Sequence, residues 1–170
     1  MSIIATDLDG TIFKGQTLID GVKEGLLKII NEGIEIYYTT NNSSQTPSEI
    51  KDKLEYLLQL NIDISRIITP LVIFQNLYSN NKSNIFIYGS DNLKNYIKNL
   101  NINVTSLENA ELVLIGRKEE NNFSEINEII KNVSLGKNIL SLNKDLTFPT
   151  EFGEKAGNGA VVKIIEDELS

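Results

Sequence analysis

Two clusters in this 170-residue sequence have residue types and spacing suited to chemistry: Asp7-Leu8-Asp9-Gly10-Thr11 and Thr40-Asn41-Asn42-Ser43-Ser44. Side chains two apart on an extended strand point the same way, so Asp7 and Asp9 aim at one point while Leu8 turns into the core. Two carboxylates at one strand end repel each other. A divalent cation, or one proton held between them, must justify the pairing. Magnesium fits, because it takes carboxylate and carbonyl oxygens together with water and phosphate oxygens. Gly10 permits a sharp departure of the chain, and the Thr11 hydroxyl can bond nearby backbone or carboxylate. The plain alternative is an Asp-Gly turn held by its own side chain. A D-x-D also occurs in metal-dependent nucleotide-sugar transferases, and acidic clusters at strand ends occur in phosphoacceptor receiver domains.

Composition narrows the chemistry. The chain has no histidine and no cysteine. Imidazole bases, Ser-His and Cys-His nucleophile systems, thiolate zinc sites and disulfides are therefore all excluded. Lys+Arg number 16 against Asp+Glu 23, a net charge of −7, which argues against general nucleic-acid binding. No apolar run approaches the ~20 residues that span a bilayer. The N-terminal residues lack the basic start of a signal peptide. The expectation is a soluble cytoplasmic protein without a membrane or nucleic-acid partner.

The elements that must position the clusters alternate. Ile3–Thr6 reads as a buried strand ending at Asp7. Residues 21–32 carry a helical apolar pattern with Asp20 as N-cap and Gly33 as the stop. Residues 34–39 form a second strand that runs into Thr40, with Tyr37 and Tyr38 as strand residues. Pro47 opens a helix carrying Ile50, Leu54, Leu57 and Leu58, with Ser43 and Ser44 as its caps. Ile67-Ile68 is a third strand, and Thr69-Pro70 opens another helix. The second half alternates again: strands at 84–88, 111–115 and 138–142, a weaker one at 102–104, and helices at 91–100, 123–133 and 159–167. Arg117–Glu120 reads as a solvated loop. This βαβ alternation predicts an α/β fold with parallel sheets and right-handed crossovers. Ligand sites in such sheets lie beyond the carboxyl ends of the strands, where both polar clusters fall.

Asp7-Leu8-Asp9-Gly10-Thr11 resembles motif I of the haloacid dehalogenase-like superfamily of phosphohydrolases. Thr40-Asn41-Asn42-Ser43 resembles motif II of its NagD and p-nitrophenyl phosphatase subclass, subclass IIA. Gly15…Ile19-Asp20-Gly21 is similar to that subclass's G-x-x-x-I-P-G segment, with Asp20 in place of Pro. Asn143-x-Asp145 and Gly157-Asn158-Gly159 resemble two segments of its α/β cap, with Leu142 and Ala156 replacing the usual Thr and Pro. The resemblance implies a Rossmann-like parallel-sheet core followed by an α/β cap domain, divided as 1–69 and 70–170. It further implies Asp7 as nucleophile and Asp9 as general acid and base. Thr40, Asn41, Asn42 and Gly10 would bind phosphate, and Asp7 and Asp9 would hold Mg2+. The substrate would be a small phosphate ester such as a sugar phosphate or phosphoglycolate.

Relatives carry a motif III lysine and a motif IV acidic pair after the cap, and neither is visible before Ser170. Lys144, Lys155 and Lys163 lie in cap segments. The expectation is thus the N-terminal half of the core only, from a truncated or split protein, with no third acidic metal ligand in this chain. The first strand would then be an apolar sheet edge, open to self-association or to a partner that covers it. A catalytically silent phosphate-ligand binder or regulatory protein is the alternative to the enzyme. A receiver domain ranks below both, because Ile68-Thr69-Pro70 offers no acceptor carboxylate at the third strand.

Overall fold

The computed structural model describes residues 2–80, 82–118, 120–150 and 153–169. The chain divides into two units, Met1–Ile73 and Phe74–Ser170, each built on its own three-stranded parallel sheet. The sequence reading divides the chain at 69–70, whereas the compact units part within a helix that begins at Pro70.

In the first unit, β1 (Ile3–Asp7) leads into a small hairpin of β2 (Phe13–Lys14) and β3 (Thr17–Leu18). Then come α1 (Val22–Asn31), β4 (Glu35–Thr39), α2 (Pro47–Leu58), β5 (Ile67–Ile68) and the start of α3 (Pro70–Tyr78). The sheet order is β1-β4-β5, the arrangement that right-handed crossovers through α1 and α2 produce. Central β4 buries Ile36 and Tyr38, which share a core with Leu8, Leu26, Leu54 and Ile67. On α2, Ile50, Leu54 and Leu58 recur at helical spacing and are all buried. Sealing off each such leucine is worth about 1.5–3 kcal/mol.

Three local expectations are corrected. β1 is not a buried strand: Ile3 is 60% and Ile4 36% exposed. It pairs with β4 on one side only and forms the sheet edge among the described residues. The N-cap of α1 is Gly21 at φ 79, with no side-chain cap, rather than Asp20. A left-handed turn at that glycine delivers the chain into the helix instead. The cap of α2 is Thr46, not Ser43 or Ser44. Thr46 and Glu49 form a reciprocal capping box, with Pro47 opening the helix.

The second unit holds β6 (Ile85–Tyr88), α4 (Asp91–Lys98), β7 (Leu112–Ile115), α5 (Phe123–Ser134) and β8 (Asn138–Ser141). A hairpin of β9 (Thr147–Thr150) and β10 (Gly153–Ala156) follows, then α6 (Asn158–Leu169). Sheet order β6-β7-β8 puts β7 in the centre, and all four of its residues are buried, as both faces of a parallel sheet require. The expected strand at 102–104 reduces to a single bridge between Val104 and Ile85. Lys118 is not simply solvated. It is half-buried, ion-paired with Glu125, and its ammonium stands 4.6 Å from the Tyr88 ring centre. Glu119, part of that expected loop, lies outside the described residues. No helix among the described residues is long and apolar enough to cross a membrane.

Candidate active site

The first unit brings the two chemical clusters together through strand register. β1 and β4 run parallel from Ile3↔Glu35 to Asp7↔Thr39, and Thr39 pairs onward with Ile68 of β5. All three strands thus end on one side. An open cleft of about 600 Å³ lies there, lined by Asp7, Thr39, Thr40, Asn41, Ile68, Pro70 and Ile73.

The turn after β1 is held by main chain. The carbonyl of buried Leu8 accepts from the N–H groups of Thr11, Ile12 and Phe13, at 3.3, 2.9 and 3.2 Å. Gly10 has φ 83, a conformation that costs other residues roughly 1–2 kcal/mol. Its N–H donates to the Phe13 carbonyl at 2.8 Å, so Gly10 shapes the turn with that group. Leu8 is 1% exposed and both flanking aspartates are exposed, the alternation expected from strand geometry.

The loop after β4 is equally ordered. The Thr39 hydroxyl donates to the Thr6 carbonyl at 3.1 Å, tying the two strand ends. Buried Thr40 donates its N–H to the Ile68 carbonyl and accepts the Asn42 N–H at its hydroxyl, at 3.1 and 3.0 Å. A hydroxyl that accepts still has a proton to donate. The Asn42 side-chain oxygen accepts from the N–H and hydroxyl of Ser44, at 2.9 and 2.6 Å. Asn42 therefore braces the loop, while Asn41 is exposed on the cleft.

Electrostatics act on Asp9. Although Asp9 is accessible to solvent, desolvation by the turn packed around it raises its carboxyl above the usual value; the Lys53 ammonium opposes that shift and the Asp7 charge reinforces it. Lys53 is itself pulled down by burial and held up by Asp9. Its ammonium stands 3.5 Å from the Phe13 ring centre. Sequence reasoning missed Lys53. Its one signal was its place, three residues after buried Ile50 and just before buried Leu54, on a helix that the second cluster introduces. Among the described residues no group of three or more carboxylates gathers at one point.

In the second unit, the two cap-like segments lie against each other. The N–H of Gly157 donates to the Leu146 carbonyl at 2.8 Å, and that of Gly159 to the Asp145 carbonyl at 2.9 Å. A Cβ would stand 2.3 Å from the Asp145 carbonyl oxygen at Gly157 and 2.1 Å from that of Lys144 at Gly159. Glycine is required there by backbone packing.

The family profile described as "Haloacid dehalogenase-like hydrolase" matches residues 4–103. The chain belongs to this haloacid dehalogenase-like hydrolase family. An acid sugar phosphatase of Staphylococcus haemolyticus (strain JCSC1435) is 31% identical over 163 residues, covering 94% of this chain and 61% of that protein. The chain thus spans about three-fifths of the length of this curated relative. Among solved structures, a p-nitrophenyl phosphatase from Archaeoglobus fulgidus superposes with a TM-score of 0.89 at 21% identity, over 99% of this chain and 64% of that one. NagD from the E. coli K-12 strain does so with a TM-score of 0.82 at 18% identity, over 99% and 65%. Both likenesses are of fold, over nearly the whole of this chain. The haloacid dehalogenase-like chain is an α/β protein with a Rossmann-like parallel core.

Proposed function

We propose that this chain carries the nucleophile side of a phosphomonoester hydrolase acting on a small phosphorylated metabolite of the sugar-phosphate type. The observation that carries the reading is the Asp7↔Thr39 register, which sets the exposed Asp7 carboxylate beside Thr40 and Asn41 on one cleft. Phosphoryl transfer is mostly positioning and electrostatic stabilisation, and that geometry supplies positioning.

In this reading a carboxylate oxygen of Asp7 attacks phosphorus, and the ester P–O bond breaks to leave an aspartyl-phosphate. Asp9 gives its proton to the departing alkoxide. Water then attacks phosphorus, Asp9 takes its proton, and phosphate leaves with Asp7 restored. The raised Asp9 carboxyl suits a group that must hold a proton until the leaving group takes it. The Thr40 hydroxyl and the Asn41 main-chain N–H hold phosphoryl oxygens. Gly10 and Asn42 keep the two loops in shape. The oxygen donors present, the Asp7 carboxylate and the Asp9 main-chain carbonyl, suit Mg2+. When bound, that ion supplies charge neutralisation to the phosphoryl oxygens. The second unit is proposed as the cap. The exposed β1 edge, with Ile3 and Ile4, is proposed to take a second copy or a partner segment.

The test is phosphate release from a panel of small phosphomonoesters with and without Mg2+, with borohydride trapping of an acyl-phosphate. Label at Asp7 and Mg2+-stimulated release are expected. Trapping at another residue, or release unchanged in Asp7→Asn, overturns the reading. Saturable phosphate-ester binding without turnover assigns the chain instead to a silent ligand binder.

A further inference from the structure

We infer that Lys53 is a positioning residue for Asp9, with its ammonium seated on the Phe13 ring whose main chain backs the turn carrying the carboxylate. Three observations converge on it. First, α2 is rigid where Lys53 leaves it: the capping box fixes one end of the helix, and the neighbouring Ile50 and Leu54 are 2% and 0% exposed. Second, the ammonium stands 3.5 Å from the centre of the Phe13 ring, and Phe13 is itself 2% exposed. A flexible lysine stem normally samples many rotamers; a cation on a buried ring face is held in one region. Third, the Phe13 main chain is the partner of the Asp9 turn. It bridges Asp9 and accepts the Gly10 N–H at 2.8 Å.

The consequence is a short chain of contacts from a helix to a catalytic turn: α2, Lys53, the Phe13 ring, the Phe13 carbonyl, Gly10 and Asp9. Lys53 thus acts on Asp9 through the ring beneath the turn. That route needs no contact between Lys53 and substrate. Removing the charge but keeping the stem, as in Lys53→Met, frees the ring and with it the turn. Arginine keeps both the charge and the ability to stack on an aromatic face.

The inference rests on the reading of Asp9 as the proton donor, and the experiment separates the two. Lys53→Met, Lys53→Arg and Asp9→Asn are compared in the full chain on glycerol phosphate, a poor leaving group, and p-nitrophenyl phosphate, a good one. Lys53→Met should lower kcat on the alkyl ester by about tenfold or more with little change in KM. The loss on the nitrophenyl ester should be much smaller, and Lys53→Arg should restore both. If Asp9→Asn shows no leaving-group difference, the Asp9 reading fails. If Asp9→Asn shows it and Lys53→Met does not, the Lys53 inference is overturned. Amide hydrogen exchange decides the point without turnover. In Lys53→Met the Gly10 N–H should exchange about five- to tenfold faster, with Ile36 and Tyr38 of β4 unchanged and Lys53→Arg at the original rate. Unchanged Gly10 exchange in Lys53→Met overturns the inference.

Discussion

Asp7 and Thr39 stand opposite each other in the parallel register of β1 and β4, each the last residue of its strand. The Thr39 hydroxyl reaches across to the Thr6 carbonyl at 3.1 Å, fixing the two ends against each other. Asp7 is exposed, so its side chain contributes little to folding. Asp7→Asn should leave the thermal transition within a degree or two. With Asp7 as the proposed nucleophile, the far weaker amide should lower the proposed Mg2+-stimulated phosphate release by at least about a thousandfold. Melting curves and a phosphate-release assay on one preparation check both halves.

Thr40 should behave differently, because its hydroxyl is buried and used. Thr40→Val removes the acceptor of the Asn42 N–H while keeping the shape. The stranded donor should cost about 1–2 kcal/mol of stability. Inorganic phosphate should also bind more weakly if the hydroxyl holds phosphoryl oxygens. Urea unfolding and phosphate titration measure the two effects independently.

Much of the layout was legible in the sequence, and the omissions have physical causes. The two clusters, the strands that end in them and the helices between are written in apolar periodicity and in glycine and proline placement. Two short hairpins, β2–β3 and β9–β10, are not legible, since β2 and β3 have two residues each, Thr147–Thr150 holds a proline, and Gly153–Ala156 is glycine and charge rather than an apolar alternation. The Ser43 and Ser44 caps were misassigned because Thr46 had the better offer, a Glu49 three residues on. Burial of β1 was overestimated because Ile3 and Ile4 are apolar whether or not a neighbouring strand covers them. Lys53 was invisible because its meaning depends on a ring forty residues earlier in the chain.

Glycines separate by what surrounds them, which gives a paired prediction. Gly25 lies inside α1 with nothing within 4 Å of a new Cβ. Gly25→Ala should stabilise the chain by about 0.5–1 kcal/mol. Gly159→Ala would set a methyl 2.1 Å from the Lys144 carbonyl oxygen. It should destabilise by roughly 2 kcal/mol or more. Differential scanning calorimetry should move the two transitions in opposite directions.

Acid should weaken the chain partly through Glu55. Its carboxylate accepts the Ile62 N–H at 2.9 Å and pairs with Lys51 at 2.7 Å. These contacts, the backbone bond first, hold its pKa below the ordinary value of 4.5. A depressed folded-state pKa means the contribution is whole above the unfolded value and is lost as pH falls through the folded one. Glu55→Gln keeps an acceptor for Ile62 but has no charge to titrate. The stability of Glu55→Gln measured by urea midpoint should therefore fall less steeply below about pH 4.5 than that of the parent.

The β1 edge predicts association. Among the described residues β1 pairs on one side only, and its Ile3 is 60% exposed; such an edge can template another strand. A charge there blocks such pairing at little cost to folding. Sedimentation velocity should show concentration-dependent species for the parent chain that Ile3→Lys suppresses, with melting temperatures unchanged. Identical sedimentation of the two proteins would count against the edge as a contact surface.

The parallel pairing of β1 with β4 has a kinetic meaning too. Parallel neighbours need a whole crossover between them, so Asp7 meets Thr39 only after the intervening hairpin and α1 have been looped across the sheet. Local turns can form early; this juxtaposition cannot, because loop closure must be completed before the distant contact stabilises anything. A phosphate-mimicking ligand that needs both strand ends would bind finished molecules and no earlier species. Its arrival time in a refolding experiment would clock the closure that brings β1 against β4.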